Sequence, residues 1–207
     1  MSTYSGTARS AAGLIALLIW VGLAVQFSAT FEQNGSFTQT LWILVHFFTV
    51  LTNLLAALVL TGIALGIRAS NSPVLLGGTT LSIGFVGLTY VLLLRGLLEL
   101  SGGASLANFL LHYASPVLVL LFWLVFAPKG GLRYANPLLW VIYPLAYAAY
   151  ALVRGTVGGK YAYPFIDVAQ IGGLQTAINI VVLAISFLAA GFAMVWLDGL
   201  LGRRKLA

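Results

Sequence analysis

Two residues of this 207-residue chain could together cleave an acyl bond, namely Thr49 and His112. A hydroxyl is a weak nucleophile until a neighbouring base takes its proton, and a histidine at hydrogen-bond distance is such a base. Each residue lies in a long apolar stretch, where a polar side chain is costly to bury and therefore informative. Thr49 and His112 are thus a candidate nucleophile and base.

Other polar residues accompany the pair in these apolar stretches. His46, Thr49 and Asn53 have the spacing i, i+3, i+7, which places them on one helix face. Asn108 and His112 have the spacing i, i+4 and form a second polar stripe, which we expect to face the first across a helix bundle. The residues that we expect to bind a substrate or to orient the catalytic groups are His46, Thr52, Asn53, Arg95, Asn108, Tyr150, Arg154 and Asn179.

Each of these residues also has a purely structural interpretation. A threonine in a membrane helix usually bonds the carbonyl four residues before it, which would explain Thr49. His112 could be a hydrogen-bond clasp between helices. Arg95 and Glu99 have the spacing of a local ion pair on one helix.

The elements that must position these residues are membrane helices. The chain is 61% hydrophobic and only 7% charged, whereas a soluble domain is about 25% charged. A transmembrane helix needs about 20 apolar residues. The sequence predicts an all-α fold in which residues 1–207 form a single domain of six transmembrane helices, with spans at about 11–29, 41–67, 74–98, 106–127, 136–157 and 174–198.

The spans also predict the depth of the candidate pair. If the second span enters the membrane near Leu41, Thr49 lies roughly 12 Å along it at the α-helical rise. If the fourth span enters near Leu106 from the same side, His112 lies about 9 Å along it. Both groups would then sit at one level, in a polar pocket in the outer half of the bundle, with an apolar floor beneath.

The distribution of basic residues predicts the orientation. Short cytoplasmic loops carry an excess of lysine and arginine. The basic residues of the two termini and of the second and fourth loops are Arg9, Arg68, Lys129, Arg133, Arg203, Arg204 and Lys205. Only Arg154 and Lys160 flank the loop on the other side. We therefore expect both termini in the cytoplasm of a multi-pass protein of the cell membrane, which in a bacterium is the inner membrane.

Several classes of function fit the composition poorly. The chain has no cysteine, two histidines and four acidic residues, which cannot supply a usual metal-ligand set. We expect no metal and no cofactor. The net charge of +6 is not gathered on a basic, aromatic surface, so we expect no nucleic-acid partner. The expected partners are membrane lipids and a lipid ester substrate, and the sequence does not specify an oligomeric state.

The chain resembles a bacterial group of small six-helix membrane proteins over most of its length. The segments that carry the resemblance are HFFTVLTN (46–53), LLHYASP (110–116), PKGGLR (128–133), YPLAYAAYALVRG (143–155) and YAYPFIDV (161–168). That group is distantly similar to the animal androgen-induced membrane proteins and the androgen-dependent regulator of tissue factor pathway inhibitor. These animal proteins are threonine hydrolases that cleave fatty acid esters of hydroxy fatty acids with one threonine and one histidine.

The resemblance implies roles for the two residues that the depth argument pairs. Thr49 matches the nucleophile through its context from Phe47 to Leu51, and Thr52 competes with it for this match. His112 matches the histidine. The expected function is therefore intramembrane hydrolysis of lipid esters by a threonine nucleophile. The alternative is a non-enzymatic membrane protein that binds or carries a lipid or small molecule in the polar pocket. Hydrogen-bond reach between Thr49 and His112 is one observation that separates the two.

Overall fold

The computed structural model describes residues 4–97 and 99–203, and within them it is helical, without a β-strand. Six of its helical segments are long and apolar enough to cross a membrane. They are Gly6–Asn34, Phe48–Leu65, Pro73–Leu94, Gly102–Phe126, Asn136–Gly158 and Val168–Arg203. The prediction of an all-α membrane protein with six transmembrane helices is confirmed.

The chain divides into two compact units, Met1–Gly131 and Leu132–Ala207. The prediction that all six spans form one domain stays a prediction, and each unit is described by itself. The helices of the first unit are α1 (Gly6–Asn34), α2 (Phe37–Leu44), α3 (Phe48–Leu65), α4 (Pro73–Thr89), α5 (Gly102–Phe109) and α6 (Ser115–Phe126). Helix α1 packs against α3 and α5, and α4 packs against α3 and α6.

Small residues allow the close packing of α1. Ala8, Ala12 and Ala16 recur every four residues and are buried, so they line one face of this helix. Small side chains let membrane helices approach closely. Van der Waals contact then stabilises their packing, because the hydrophobic effect does not drive helices together within lipid.

Helix α3 ends at Gly66, which lies in the left-handed region at φ +76°. The Nε of Arg9 donates to the nearby Ala64 carbonyl at 3.0 Å.

The second unit contains α7 (Asn136–Trp140), α8 (Ile142–Gly158), a short 3₁₀ turn (Pro164–Ile166) and α9 (Val168–Arg203). Helices α7 and α8 both pack against α9. Gly172 interrupts α9 with a non-helical backbone of φ 77° and ψ 158°, a conformation that only glycine adopts without strain. The sixth predicted span, 174–198, lies beyond this interruption.

Three irregularities in the first unit depart from the predicted spans. The second span, predicted as continuous over 41–67, is broken between α2 and α3 at residues 45–47. The third span, predicted to reach residue 98, leaves α-helical geometry at the π-helix Tyr90–Leu94 and ends there. A second π-helix, Leu110–Ala114, separates α5 from α6. All three lie close to Thr49 or His112 in the chain or in space. The two π-helices fit the general observation that π-bulges are frequent at functional sites.

The break at residues 45–47 has no proline or glycine to cause it. Every residue from Val45 to Val50 is instead β-branched or aromatic, and such residues lose side-chain freedom in a helix. The N–H groups of His46 and Phe47 donate to carbonyls only three residues back, and Phe47 is extended at φ −99° and ψ 128°. This local sequence therefore ends one helix and begins the next.

Candidate active site

The centre of the site is a hydrogen bond between α3 and the π-helix Leu110–Ala114. The Oγ1 of Thr49 lies 3.1 Å from the Nε2 of His112, although 63 residues separate them in the chain. Thr49 is 7% exposed and His112 is half-buried. The nucleophile and base expected from the sequence are thus at the distance at which a hydroxyl proton can pass to an imidazole.

The other imidazole nitrogen fixes the direction of this hydrogen bond. The Nδ1 of His112 lies 3.3 Å from the backbone carbonyl of Asn108, which can only accept. The ring proton therefore belongs on Nδ1, and the lone pair of Nε2 is left to accept from Thr49. A carbonyl here holds the tautomer that a carboxylate holds in a Ser-His-Asp triad.

The break before α3 places Thr49 at a helix N-terminus. Thr49 is the second residue of α3, so its backbone N–H has no carbonyl of that helix to bond. The depth predicted for Thr49 assumes one continuous helix from Leu41. The break at residues 45–47 shows that this assumption is wrong. The contact with His112 sets the level of Thr49 instead, ten residues into the segment Gly102–Phe126, or about 15 Å at the helical rise.

The π-helix that carries His112 is closely packed by two glycines from neighbouring helices. A Cβ added to Gly22 of α1 would lie 2.8 Å from the Leu111 side chain. A Cβ added to Gly87 of α4 would lie 2.9 Å from Pro116 Cβ and 3.2 Å from the His112 carbonyl oxygen. The neighbours of Gly87 are a rigid proline ring and a backbone oxygen, so a side chain there would force the helices apart, whereas the nearest neighbour of Gly22 is the flexible end of Leu111.

An aromatic ring absent from the predicted site covers His112. The Tyr90 ring centroid lies 4.2 Å from that of the imidazole, with the planes inclined by 30°. The Tyr90 hydroxyl accepts a hydrogen bond from Nδ2 of Asn108 at 2.8 Å. Asn108 thus contributes twice, through its carbonyl to His112 and through its side chain to Tyr90. The sequence signal for Tyr90 is weak, because tyrosines near span ends usually form an interfacial belt.

A buried amide connects α3 to the same π-helix. The Nδ2 of Asn53 donates to the Thr49 carbonyl at 2.9 Å and to the Leu111 carbonyl at 3.1 Å. The Oδ1 of Asn53 accepts from the Ser115 hydroxyl at 2.6 Å. Both Asn53 and Ser115 are 0% exposed. Asn53 is among the residues expected at the site, whereas Ser115 is not, although it follows His112 by only three residues.

The other first-unit candidates take different positions. Thr52 is buried three residues after Thr49, and the hydroxyl within hydrogen-bond distance of His112 is that of Thr49. His46 lies in the break, half-buried, with its ring beside that of Phe47. The predicted common helix face of His46, Thr49 and Asn53 is therefore wrong for His46, because the helix does not run through this residue.

Arg95 lies just beyond the π-helix Tyr90–Leu94 and is exposed. Its backbone N–H donates to the Tyr90 carbonyl at 2.8 Å. No ion pair joins Arg95 to Glu99, both of which belong to the described residues. The ion pair expected from their spacing is absent because the helix ends at Leu94 and the chain turns at Gly96, which has φ +83°.

The remaining candidates belong to the second unit. Nη1 of Arg154 donates to the Tyr150 hydroxyl at 2.7 Å, and the guanidinium lies 5.9 Å from the ring centroid of this tyrosine. Asn179 donates to the Phe165 carbonyl at 2.9 Å and accepts from Gln175 at 2.9 Å. Asn179 therefore ties α9 to the 3₁₀ turn Pro164–Ile166, which is a structural role.

An open groove runs along α2. Its lining residues are Ser36, Thr38, Gln39, Leu41, Trp42 and Val45, so neither Thr49 nor His112 borders it. Among the residues that the structure describes, no three histidine, aspartate or glutamate side chains are grouped as metal ligands would be.

Comparisons with known proteins leave the site to be interpreted from its own geometry. No protein-family model matches the chain, and neither a curated protein nor a solved structure matches it.

Proposed function

We propose that this protein is an intramembrane threonine hydrolase that cleaves lipid esters. Thr49 is the nucleophile, and His112 is first the general base and then the general acid. One observation carries the proposal, namely the 3.1 Å contact between Thr49 Oγ1 and an imidazole whose other nitrogen is held by a carbonyl. A merely structural hydroxyl in a membrane helix bonds the carbonyl four residues before it, whereas this hydroxyl faces a base on another helix.

In the first half-reaction, Thr49 Oγ1 attacks the ester carbonyl carbon while its proton passes to Nε2 of His112. The tetrahedral intermediate collapses by breaking the bond to the alcohol oxygen, which takes the proton from Nε2. The alcohol leaves, and the acyl group stays on Thr49 as an ester. In the second half-reaction, water attacks this ester, gives its proton to Nε2, and Thr49 recovers that proton as the fatty acid departs.

The start of α3 suits the charge that develops on the carbonyl oxygen. The N–H groups of the first turn and the positive end of the helix dipole stabilise negative charge. The N–H of the nucleophile itself contributes to the oxyanion hole in serine hydrolases, and Thr49 is the second residue of its helix. We expect the oxyanion to form against this turn.

The surroundings of Thr49 favour a lipid substrate. The helices that carry Thr49 and His112 are membrane-spanning, so an ester reaches them most readily from the bilayer. Fatty acid esters of hydroxy fatty acids, which the sequence resemblance suggests, combine a long acyl chain with a carboxylate. Arg95 follows Tyr90 by five residues and is exposed, and we propose that its guanidinium receives such a carboxylate bidentately.

The orientation and location that accompany this function are also proposals. We place both termini in the cytoplasm and the protein in the cell membrane, because most basic residues flank the predicted cytoplasmic loops.

Hydrolysis of a long-chain acyl ester by purified protein in detergent tests the function. We expect Thr49→Ala and His112→Ala each to abolish turnover, and the double variant to be scarcely worse, because the two groups act as one unit. Thr49→Ser retains a hydroxyl and is the matched control that should keep measurable activity. Activity that survives Thr49→Ala and disappears in Thr52→Ala would move the nucleophile to Thr52. Activity that depends on neither would favour the binding or carrier alternative.

A further inference from the structure

The carbonyl of Leu111, the residue before His112, loses its usual partner in the helix. In an α-helix it would accept from the N–H of Ser115, four residues later. In this structure the Ser115 N–H donates instead to Leu110, five residues back, as in a π-helix. The residue five positions after Leu111 is Pro116, which has no N–H. Neither the α-helical nor the π-helical donor is therefore available to Leu111.

Two side chains lie within hydrogen-bond distance of this carbonyl instead. Asn53 Nδ2 lies 3.1 Å from the Leu111 carbonyl oxygen, and Ser115 Oγ lies 3.2 Å from it. The Ser115 hydroxyl lies closer to Asn53 Oδ1, at 2.6 Å. Because the hydroxyl has a single proton and the shorter contact is the stronger, Ser115 donates mainly to Asn53.

This arrangement fixes the orientation of the Asn53 amide. Both hydrogens of Nδ2 are used, one on the Thr49 carbonyl and one on the Leu111 carbonyl. The carbonyl oxygen of the amide is used by Ser115. A flipped amide would turn its oxygen toward two carbonyl oxygens and its NH₂ toward a hydroxyl, and complete burial leaves no water to compensate.

We infer that Asn53 and Ser115 are positioning residues that hold Thr49 and His112 at reacting distance. One amide bonds the backbone of Thr49 on α3 and the backbone of the residue beside His112 on the π-helix. The rigid Asn53 amide thereby sets the distance between the two candidate catalytic residues, and Ser115 keeps this amide in the required orientation. We call Asn53 and Ser115, with these hydrogen bonds, the clamp. Its catalytic significance rests on the proposed function, but its geometric effect on His112 does not.

The test combines two readouts on the purified full-length protein. The chain contains only two histidines, His46 and His112, so ¹⁵N-histidine NMR with His46→Gln as the assignment variant isolates the His112 ring. The first readout is the His112 tautomer and the hydrogen bond at Nε2. The second is kcat and KM on a long-chain acyl ester. The variants are Asn53→Ala, Asn53→Asp and Ser115→Ala, of which the last places a strong helix former in a helix.

In the wild-type protein we expect one fixed tautomer with the proton on Nδ1. In Asn53→Ala and Asn53→Asp we expect the Nε2 hydrogen bond to weaken and kcat to fall about 100-fold with KM little changed, as for a misplacement of about 1 Å. Ser115→Ala should shift both readouts in the same direction by less. The control is Thr79→Ala, which removes a buried hydroxyl that bonds the Leu75 carbonyl within α4, and it should change neither readout.

The outcomes separate the clamp from the proposed function. An unchanged His112 signal in Asn53→Ala and Ser115→Ala would overturn the clamp, even if Thr49 and His112 prove essential for hydrolysis. An altered His112 signal in a protein that shows no Thr49-dependent hydrolysis would support the clamp and refute the proposed function. Equal loss of kcat in Thr79→Ala would indicate general destabilisation and also overturn the clamp.

Discussion

Gly87 lies so close to Pro116 that a Cβ added to this glycine would be 2.9 Å from the Cβ of the proline. The same Cβ would lie 3.2 Å from the carbonyl oxygen of His112. A proline cannot donate to the carbonyl four residues before it, and its ring pushes that carbonyl aside. Here that carbonyl belongs to His112, and the absence of a side chain at Gly87 leaves room for it. The contact therefore connects the packing of α4 and α6 to the turn that presents the candidate base.

We expect Gly87→Ala to destabilise the protein by about 1–3 kcal/mol, which is the usual cost of overpacking a core. The matched control is Gly84→Ala on the same helix, where an added Cβ meets no atom within 4 Å. That change should stabilise by roughly 0.5–1 kcal/mol, because alanine is the better helix former. Thermal unfolding in detergent measures both. Equal stability of the two variants would contradict the close approach of Gly87 to Pro116.

Tyr90 provides a second test of the site, because its ring and its hydroxyl have separate contacts. Tyr90→Phe keeps the ring over His112 and loses only the hydrogen bond from Asn108, so we expect a small decrease in hydrolysis. Tyr90→Leu also removes the aromatic contact, whose value is about 0.5–1.5 kcal/mol, and should lower kcat roughly 2–10-fold further. Steady-state kinetics on one ester measure kcat for both variants. A loss of kcat in Tyr90→Phe that is larger than this small decrease would show that the hydroxyl is the important group.

The fold is predictable from the sequence because apolar length is a strong signal and because few residues interrupt it. Each of the six predicted spans overlaps a helix that can cross a membrane. The interruptions are harder to predict. The break at residues 45–47 contains no proline or glycine, and the sequence marks it only by a run of weak helix formers. Gly172 differs from that break, because the predicted sixth span begins at residue 174 and already leaves this glycine outside the membrane helix.

The candidate pair is predictable from residue type, whereas the geometry around it is not. Hydroxyl and imidazole groups are conspicuous in apolar spans, so Thr49 and His112 are identifiable from the sequence alone. Counting along a continuous helix nevertheless gives the wrong path to Thr49, since the chain reaches it through a broken helix. Pro116, which removes the donor for the His112 carbonyl, is a sequence signal for the π-helix. The contact of Tyr90 depends on tertiary packing, which no local pattern contains.

Acyl-chain length tests the origin of the substrate. Each methylene buried between apolar helices contributes about 0.8 kcal/mol, so kcat/KM should rise with acyl length over a graded series of esters. The measurement uses purified protein in detergent with esters from acetyl to long-chain. Equal values for acetyl and long-chain esters would contradict a substrate that enters from the bilayer.

A terminal carboxylate on the substrate tests the role of the arginines. We expect esters with this group to be cleaved faster than matched esters without it, because an exposed arginine can pair bidentately at little desolvation cost. Arg95→Gln should abolish the difference, and Arg154→Gln tests the other arginine that the sequence suggests. An unchanged preference in both variants would exclude the two residues from substrate recognition.

Reporter fusions test the proposed orientation. A reporter at Ala207 should signal from the cytoplasm and a reporter at Gly35 from the opposite side, because an odd number of spans separates the two positions. Equal signals would contradict the span count, and opposite signals with the Ala207 reporter outside the cytoplasm would contradict the orientation.

Covalent labelling of the nucleophile tests the central claim most directly. A fluorophosphonate reacts with a hydroxyl only where a neighbouring base activates it, and peptide mapping by mass spectrometry locates the adduct. We predict one adduct on Thr49 in the wild-type protein, retained in Thr52→Ala and lost in His112→Ala, as the contact between Thr49 and His112 requires. An adduct on Thr52, or an unlabelled Thr49 in a protein that still cleaves esters, would contradict the account.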